Sequence, residues 1–341
     1  MRLAIAVALL VTGCAWASAE QSTLERVRAA GVLRCGVDAA QAEYSTEDEH
    51  GNREAFDEDL CRAVAVAVLG DGAKTAIRSF PDDLTLMAAL RAGNVDLAPT
   101  LPDDFSHAVG AHLALTRPVL WDGVGFLVAA ASPAKRARQL TGRKVCFLAN
   151  TAVEETVRGW FAREHLDFVP FPFQEEGEMQ AAFSTGNCAA LAGERTHLAE
   201  TRAAFLEHGR QTRLLADAIS SDPLASAVRE EDRGWLAIVN WVMESLVGTE
   251  ESGIRQANAR QLAARAAQEE DSQRRFWLGG SKQIGSGLGL DNGWVARVVT
   301  AVGNYGEIYS RSLGAGSTMK LPRGVDSLRR DGGLLQALPG R

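Results

Sequence analysis

The stretch FDEDLCRAVAVAVLGDGAKTAIRSFPDDLTLMAALRAGNVDLAP, Phe56 to Pro99, decides the fold. FDEDLCRAVAVAVLG reads as an amphipathic helix stopped by Gly70. TAIRSF is a strand, and PDDLTLMAALRAG a helix with Pro81 near its start and Gly93 past its end. VDLAP is the next strand, its Val95, Leu97 and Ala98 apolar as a buried strand requires. Strand and helix in alternation imply parallel βαβ units.

Upstream, STLERVRAAGVLRCGV is a short helix capped by Ser22 or Thr23, a turn at Gly31, and a strand to Val37. Downstream the pattern restarts. GVGFLVAA is a strand, and the polar, proline-bearing ASPAKRARQLTGRK is expected to cross between lobes. KVCFLAN is a strand, followed by a helix from about Thr151 to Glu164, the strand DFVPFPF, the helix EGEMQAAFSTG and the strand CAALAG. This repetition of order predicts two similar lobes facing each other. RLLADAISSDPLASAVRE returns the chain to the first lobe, where RGWLAIVNWVMESLVGTEESG forms a helix. The last eighty residues are expected to be mostly helical; from Trp294 to Leu313 the apolar residues fall on one face at helical spacing, as in a helix packed on a core.

The bulk properties restrict the function. A chain of 341 residues has room for two domains, and 46% hydrophobic with 23% charged residues is an ordinary globular composition. A net charge of −7 and no basic run with interleaved aromatics argue against nucleic acid as a partner. At the N-terminus, MRLAIAVALLVTGCAWASAEQ has one basic residue, a short apolar run and the A-x-A site Ala17–Ala19, the pattern of a signal peptide with Glu20 as the mature start. VTGC is a competing reading, a lipobox that would lipidate Cys14. Export places the other cysteines, Cys35, Cys61, Cys146 and Cys188, in an oxidising compartment. Four cysteines allow three connectivities. Neighbour pairing, Cys35 with Cys61 and Cys146 with Cys188, is the most economical; buried free thiols are the alternative.

Enzyme motifs do not hold. STMK at Ser317 matches S-x-x-K, but no K-T-G follows and there is no S-D-N. GSGLGLDNG clusters glycines without a preceding strand. His107 and His112 are spaced poorly for one helix face, His107 with Asp103 or Asp104 is the metal alternative, and no C-x-x-C is present.

The segments TLERVRAAGVLRCGV, FDEDLCRAVAVAVLGD, RPVLWDGVGFLV, KVCFLANTAVEE and VGNYGEIYSRSLGAGS resemble the periplasmic solute-binding proteins of general L-amino-acid ABC transporters, solute-binding family 3, over essentially the whole mature chain. The resemblance implies an α/β, two-lobed type II periplasmic binding protein fold, each lobe a mostly parallel sheet flanked by helices. It places lobe I at 20–129 plus 220–262, lobe II at 130–219, and a helical extension at 263–341 packed on lobe I, after a signal peptide at 1–19. It also implies a monomeric periplasmic receptor, not an enzyme, without cofactor or metal, that delivers an amino acid or related small amine to an inner-membrane ABC permease. Both cysteine pairs fall where this subgroup has them.

The ligand site departs from the family. There the loop after VDLAP supplies hydroxyls and an arginine that forks the solute's α-carboxylate; in TLPDDFSHAVG the arginine position falls on Ala108. The hydroxyl-bearing run becomes Leu101, Pro102, Asp103, Asp104 and Phe105. His107 is a poor substitute for a guanidinium fork, and His112 and Arg117 are expected to be structural. The ammonium-binding acid falls on Glu194, the second-lobe hydroxyl on Thr151, an asparagine position on Asp38, and the aromatic over the ligand on Tyr44. The expected ligand residues are therefore Asp38, Tyr44, Asp103, Asp104, Phe105, Thr151 and Glu194, an acidic set that suits a cationic amine or a neutral molecule better than a zwitterion. Asp103 and Asp104 could instead be solvated loop acids, with Asp104 capping a helix that begins near Phe105. A different role follows if solute recognition is lost: an accessory binding-protein homologue acting on a partner protein.

Overall fold

Leu33–Asp38 (β1) and Thr75–Phe80 (β4) pair in parallel, and β1 continues onto Ala98–Pro102 (β5) through a parallel bridge from Cys35 to Leu97. Asp222–Arg229 (β12) lies antiparallel between β5 and Leu113–Asp122 (β6). These strands form the sheet of lobe I. The structure, a computed structural model, describes residues 21–38, 46–47, 53–70, 73–281 and 283–340. Thr46–Glu47 (β2) and Arg53–Glu54 (β3) make a small separate ribbon. Thr23–Ala30 (α1), Phe56–Leu69 (α2) and Asp83–Arg91 (α3) precede their strands in the expected order. Nearly every residue of α2 is buried, as its unbroken AVAVAVL run requires of a helix covered on all sides.

Lobe II is a five-stranded sheet. Its order is Thr212–Leu214 (β11), Val124–Ala129 (β7), Ala190–Glu194 (β10), Lys144–Leu148 (β8) and Val169–Phe173 (β9). β8, β9 and β10 are parallel, while β7 runs antiparallel to both of its neighbours, β10 and β11. Ala152–Arg163 (α4), Glu176–Ser184 (α5) and Arg195–Glu207 (α6) connect them. Both disulfides have the neighbour pairing. Cys35–Cys61 ties β1 to α2, and Cys146–Cys188 ties β8 to the approach to β10, with Cα atoms 6.4 and 5.8 Å apart.

The chain passes between lobes at Gly123, not in ASPAKRARQLTGRK. β7 pairs with β10 and β11, so it already belongs to lobe II, and the first lobe ends six residues before the expected 129; the polar stretch that follows stays in lobe II around a 3₁₀ turn at Ala137–Leu140. Gly123 meets the returning strand closely. Its φ is +156°, and a Cβ there would sit 2.4 Å from the Ser220 carbonyl oxygen. Only glycine fits.

Arg233–Glu251 (α7) leads into the C-terminal extension, in which Ala259–Ala263 (α8) and Ser272–Trp277 (α9) precede Trp294–Val302 (α10) and Tyr305–Ser312 (α11). The expected single helix from Trp294 to Leu313 is two. Gly303 takes φ +79°, and Asn304 opens α11 with a capping box shared with Glu307. The apolar face survives the break because α10 and α11 both bury it in the core shared with α2 and α7. No helix among the described residues is long and apolar enough to cross a membrane.

Candidate functional site

A cavity of about 150 Å³ lies where the two lobes meet the extension. The first turn of α2 contributes Phe56 and Asp57, and β5 contributes Thr100. From lobe II, the end of β10 and the start of α6 bring Glu194, Thr196, His197 and Glu200. Ser312, Leu313 and Met319 close it from the extension. Ligand clefts of open α/β sheets form over the carboxyl ends of strands. Glu194, the last residue of β10, stands in such a position, while Thr100 reaches the cavity from the middle of β5.

The polar groups are arranged by local rules. The Thr100 hydroxyl donates to both oxygens of the buried Asp57, at 2.9 and 2.8 Å. Asp122, the last residue of β6, accepts the main-chain N–H groups of Arg195 and Thr196 and the Thr196 hydroxyl, fixing the start of α6. Glu194, His197 and Glu200 then follow at helical spacing of three. His197 Nε2 lies 2.7 Å from Glu176 of α5, and its Nδ1 lies 3.4 Å from Glu200. The hydrogen bonds to Glu176 and Glu200 push His197 up to about 10, so it is an imidazolium at neutral pH. Glu194 opens onto the cleft but is flanked by protein. Burial, aided by the charge of Asp122, raises it to about 7. Among the described residues, no lysine or arginine lines the cavity. It offers three carboxyl groups against one imidazolium that two glutamates already hold.

Of the expected residues, the structure brings only Glu194 to this cavity among those whose side chains are described. Asp38 ends β1, but its side chain, Tyr44 and Cys14 lie outside the described residues. Asp103 to Gly110 fold back on themselves. The Asp103 N–H donates to the Pro223 carbonyl at 2.8 Å. Asp104 Oδ1 accepts the His107 N–H at 2.9 Å and lies 2.8 Å from its Nδ1, capping a short π turn at Ser106–Gly110. Burial opposes its ionisation, but the bonds from His107 outweigh that and hold Asp104 below the usual carboxylate range. Phe105 is 79% exposed and Ala108, where the sequence resemblance would put the arginine, is exposed on the same turn. Thr151 caps α4, accepting the Glu154 N–H and donating to the Leu148 carbonyl. Arg117 pairs with the buried Glu244 at 2.6 Å, and His112 lies 3.4 Å from Glu230 at the surface. Arg195 faces the far side of the crossing strands, its guanidinium donating to the Leu215 carbonyl at 3.0 Å.

Sequence reasoning missed Asp57, Thr100, His197, Glu200 and the extension's share. The three-residue spacing of Glu194, His197 and Glu200 after a predicted strand was the usable signal. Asp57 was hidden in the acidic start FDED, which a helix N-terminus explains without a ligand.

Known proteins match over nearly the whole length. The general L-amino acid-binding periplasmic protein AapJ of Rhizobium johnstonii is 34% identical over 343 residues, covering 99% of this chain and 98% of that protein. The glutamate/glutamine/aspartate/asparagine-binding protein BztA of Rhodobacter capsulatus is 33% identical, covering 99% and 97%. The chain belongs to the periplasmic amino-acid-binding proteins of ABC transporters. No family model matches the chain. Among solved structures, an ABC-transporter periplasmic binding protein from Brucella ovis with glutathione bound superposes with a TM-score of 0.78 at 31% identity, covering 94% of this chain and 99% of that one. Its coverage takes in the extension, so the two-lobed fold with a C-terminal addition is shared with another member of the binding-protein family. The curated relatives are binding proteins of transporters.

Proposed function

We propose that this binding protein is the solute receptor of an ABC importer and that its solute is recognised as a cation, through an amine, rather than by an α-carboxylate. The carrying observation is the cleft itself: Asp57, Glu194 and Glu200 line it with His197, and no described lysine or arginine does. An ammonium between Glu194 and Glu200 would gain charge-assisted hydrogen bonds and return Glu194 to its ionised form. A free carboxylate would meet like charge instead. Lacking the guanidinium fork, it loses a buried pair worth about 2–5 kcal/mol, roughly thirty- to several-thousand-fold in affinity. Arrangement into lobe I, lobe II and an extension, export by the N-terminal signal to the periplasm, a monomeric state and a partner permease complete this reading; lobe closure around solute would present the closed form to the permease.

The test is thermal unfolding of the mature protein against linear diamines, polyamines, the common amino acids and glutathione. A ligand at a hundred times its Kd adds about 2.7 kcal/mol, several degrees at this size. Shifts confined to amines support the reading. Shifts with ordinary amino acids or glutathione would mean another group replaces the clamp. Silence across the panel favours the accessory role, for which the exposed Leu84 (74%), Phe105 (79%) and Val109 (58%) offer an apolar contact surface.

A further inference from the structure

The extension enters the cleft at one place. α11 ends at Ser312, and the chain then turns through Gly314 and Gly316 to deliver Met319, whose side chain lines the solute cavity beside Leu313. Lys320 follows at φ +44°, a conformation that only a tightly held turn maintains for a side chain with a Cβ. Both ends of this arm are fastened to lobe I. Arg311 donates twice to the buried Asp59 of α2, at 2.9 and 2.6 Å. Asp326 accepts the Trp121 N–H of β6 at 2.8 Å, and Arg323 pairs with Glu250 of α7 while lying over the Tyr305 and Tyr309 rings.

The middle of the arm presses on lobe II. Arg202 of α6 donates to the Met319 carbonyl, the hydrogen bond the structure gives this guanidinium. It is partly buried and has no carboxylate partner among the described residues. One helical turn before it, Ala199 is fully buried in the same packed core as Leu313, Met319 and Leu321. A half-desolvated guanidinium given to a main-chain carbonyl is a poor source of stability. It is a good way to hold a loop at a fixed place.

We propose that residues 312–326 are the third wall of the solute cleft, that Met319 sets the length of solute the cleft accepts, and that Arg202 is a positioning residue seating this wall against lobe II. The length gauge rests on the cation reading of the cleft; the seating does not. Met319 suits the gauge because an unbranched thioether fills the end of a cavity and defines it. The seating makes separation of the lobes depend on breaking one cross-lobe bond to the arm.

Two readouts separate these parts. Spin labels on Leu84→Cys of lobe I and Leu206→Cys of lobe II, both exposed, report the distance between lobes without ligand. Arg202→Gln is expected to lengthen and broaden that distance with the unfolding temperature held, and Arg202→Lys, which still donates, to restore it. A distance unchanged in Arg202→Gln overturns the seating. Met319→Ala keeps the carbonyl and is expected to leave the distance as it was. In calorimetry with linear α,ω-diamines of increasing length, Met319→Ala should move the optimum to longer chains, gaining roughly fourfold for each methylene newly buried. An unmoved optimum overturns the gauge. If no diamine binds the parent protein, the cation reading and the gauge fall together, while the label distances still decide the seating.

Discussion

Residues 103–110 of lobe I run on from the end of β5, and residues 194–200 of lobe II from the end of β10. Their outcomes are opposite. In lobe I Asp104 is spent locally, capping a turn through His107, while Phe105 stands in solvent and Ala108 offers nothing. In lobe II the helix start is pinned by Asp122, and Glu194, His197 and Glu200 are carried to the cavity by helical spacing. Position at the end of a strand makes a site available. Whether it is used depends on whether the local structure carries the side chains into the cavity or holds them on a turn outside it.

The largest expected effect tests that difference directly. Glu194→Gln should weaken diamine binding by thirty-fold or more, the cost of removing one partner from a desolvated pair. Asp104→Asn should change it less than threefold. A reversal of the two in calorimetry would mean the loop at 103–110 closes over the solute. The comparison also has a pH signature. With Glu194 raised to about 7, diamine affinity should climb between pH 5.5 and 8 as the carboxyl ionises, and Glu194→Gln should flatten the climb.

Stability should move the other way. Glu194 and the buried Asp326, also raised to about 7 by burial, hold protons in the folded state at pH values where the unfolded chain has released them. Their contribution is complete below the ordinary carboxylate range and is lost as pH rises toward 7. Asp326→Asn, which keeps an acceptor for the Trp121 N–H, should reduce the fall in denaturant midpoint between pH 4.5 and 7. Smaller again, Thr100→Val should cost about 1–3 kcal/mol by removing the Thr100 hydroxyl from Asp57. Thr151→Ala should cost about 1 kcal/mol through the lost cap and leave diamine affinity unchanged. A tenfold affinity loss there would give Thr151 a ligand role beside its cap.

Much of the fold was legible because local rules and global packing agreed. The AVAVAVL run of α2, the Pro81–Gly93 brackets around α3 and the cysteine spacing each announced an element or a staple. The crossing point was not legible. GVGFLVAA is a strand by any local criterion, and only its pairing with β10 and β11 shows that it has left lobe I. The break in the last long helix was half legible: the apolar face was correctly read, but GN at 303–304 passes for a tolerated interruption until Asn304 is seen capping α11.

The sequence by itself determined the alternating architecture and the acid at Glu194, and it favoured the cysteine pairing that the structure has, since each depends on residue type and short-range order. Only the tertiary structure decided that the cleft has three walls. Asp57, Glu200 and Met319 are distant in sequence, and their meeting depends on long-range packing of α2, α6 and the arm, which no local pattern encodes. It also decided that Asp104 is engaged away from the cavity, because a cap bond three residues long is satisfied before any solute arrives.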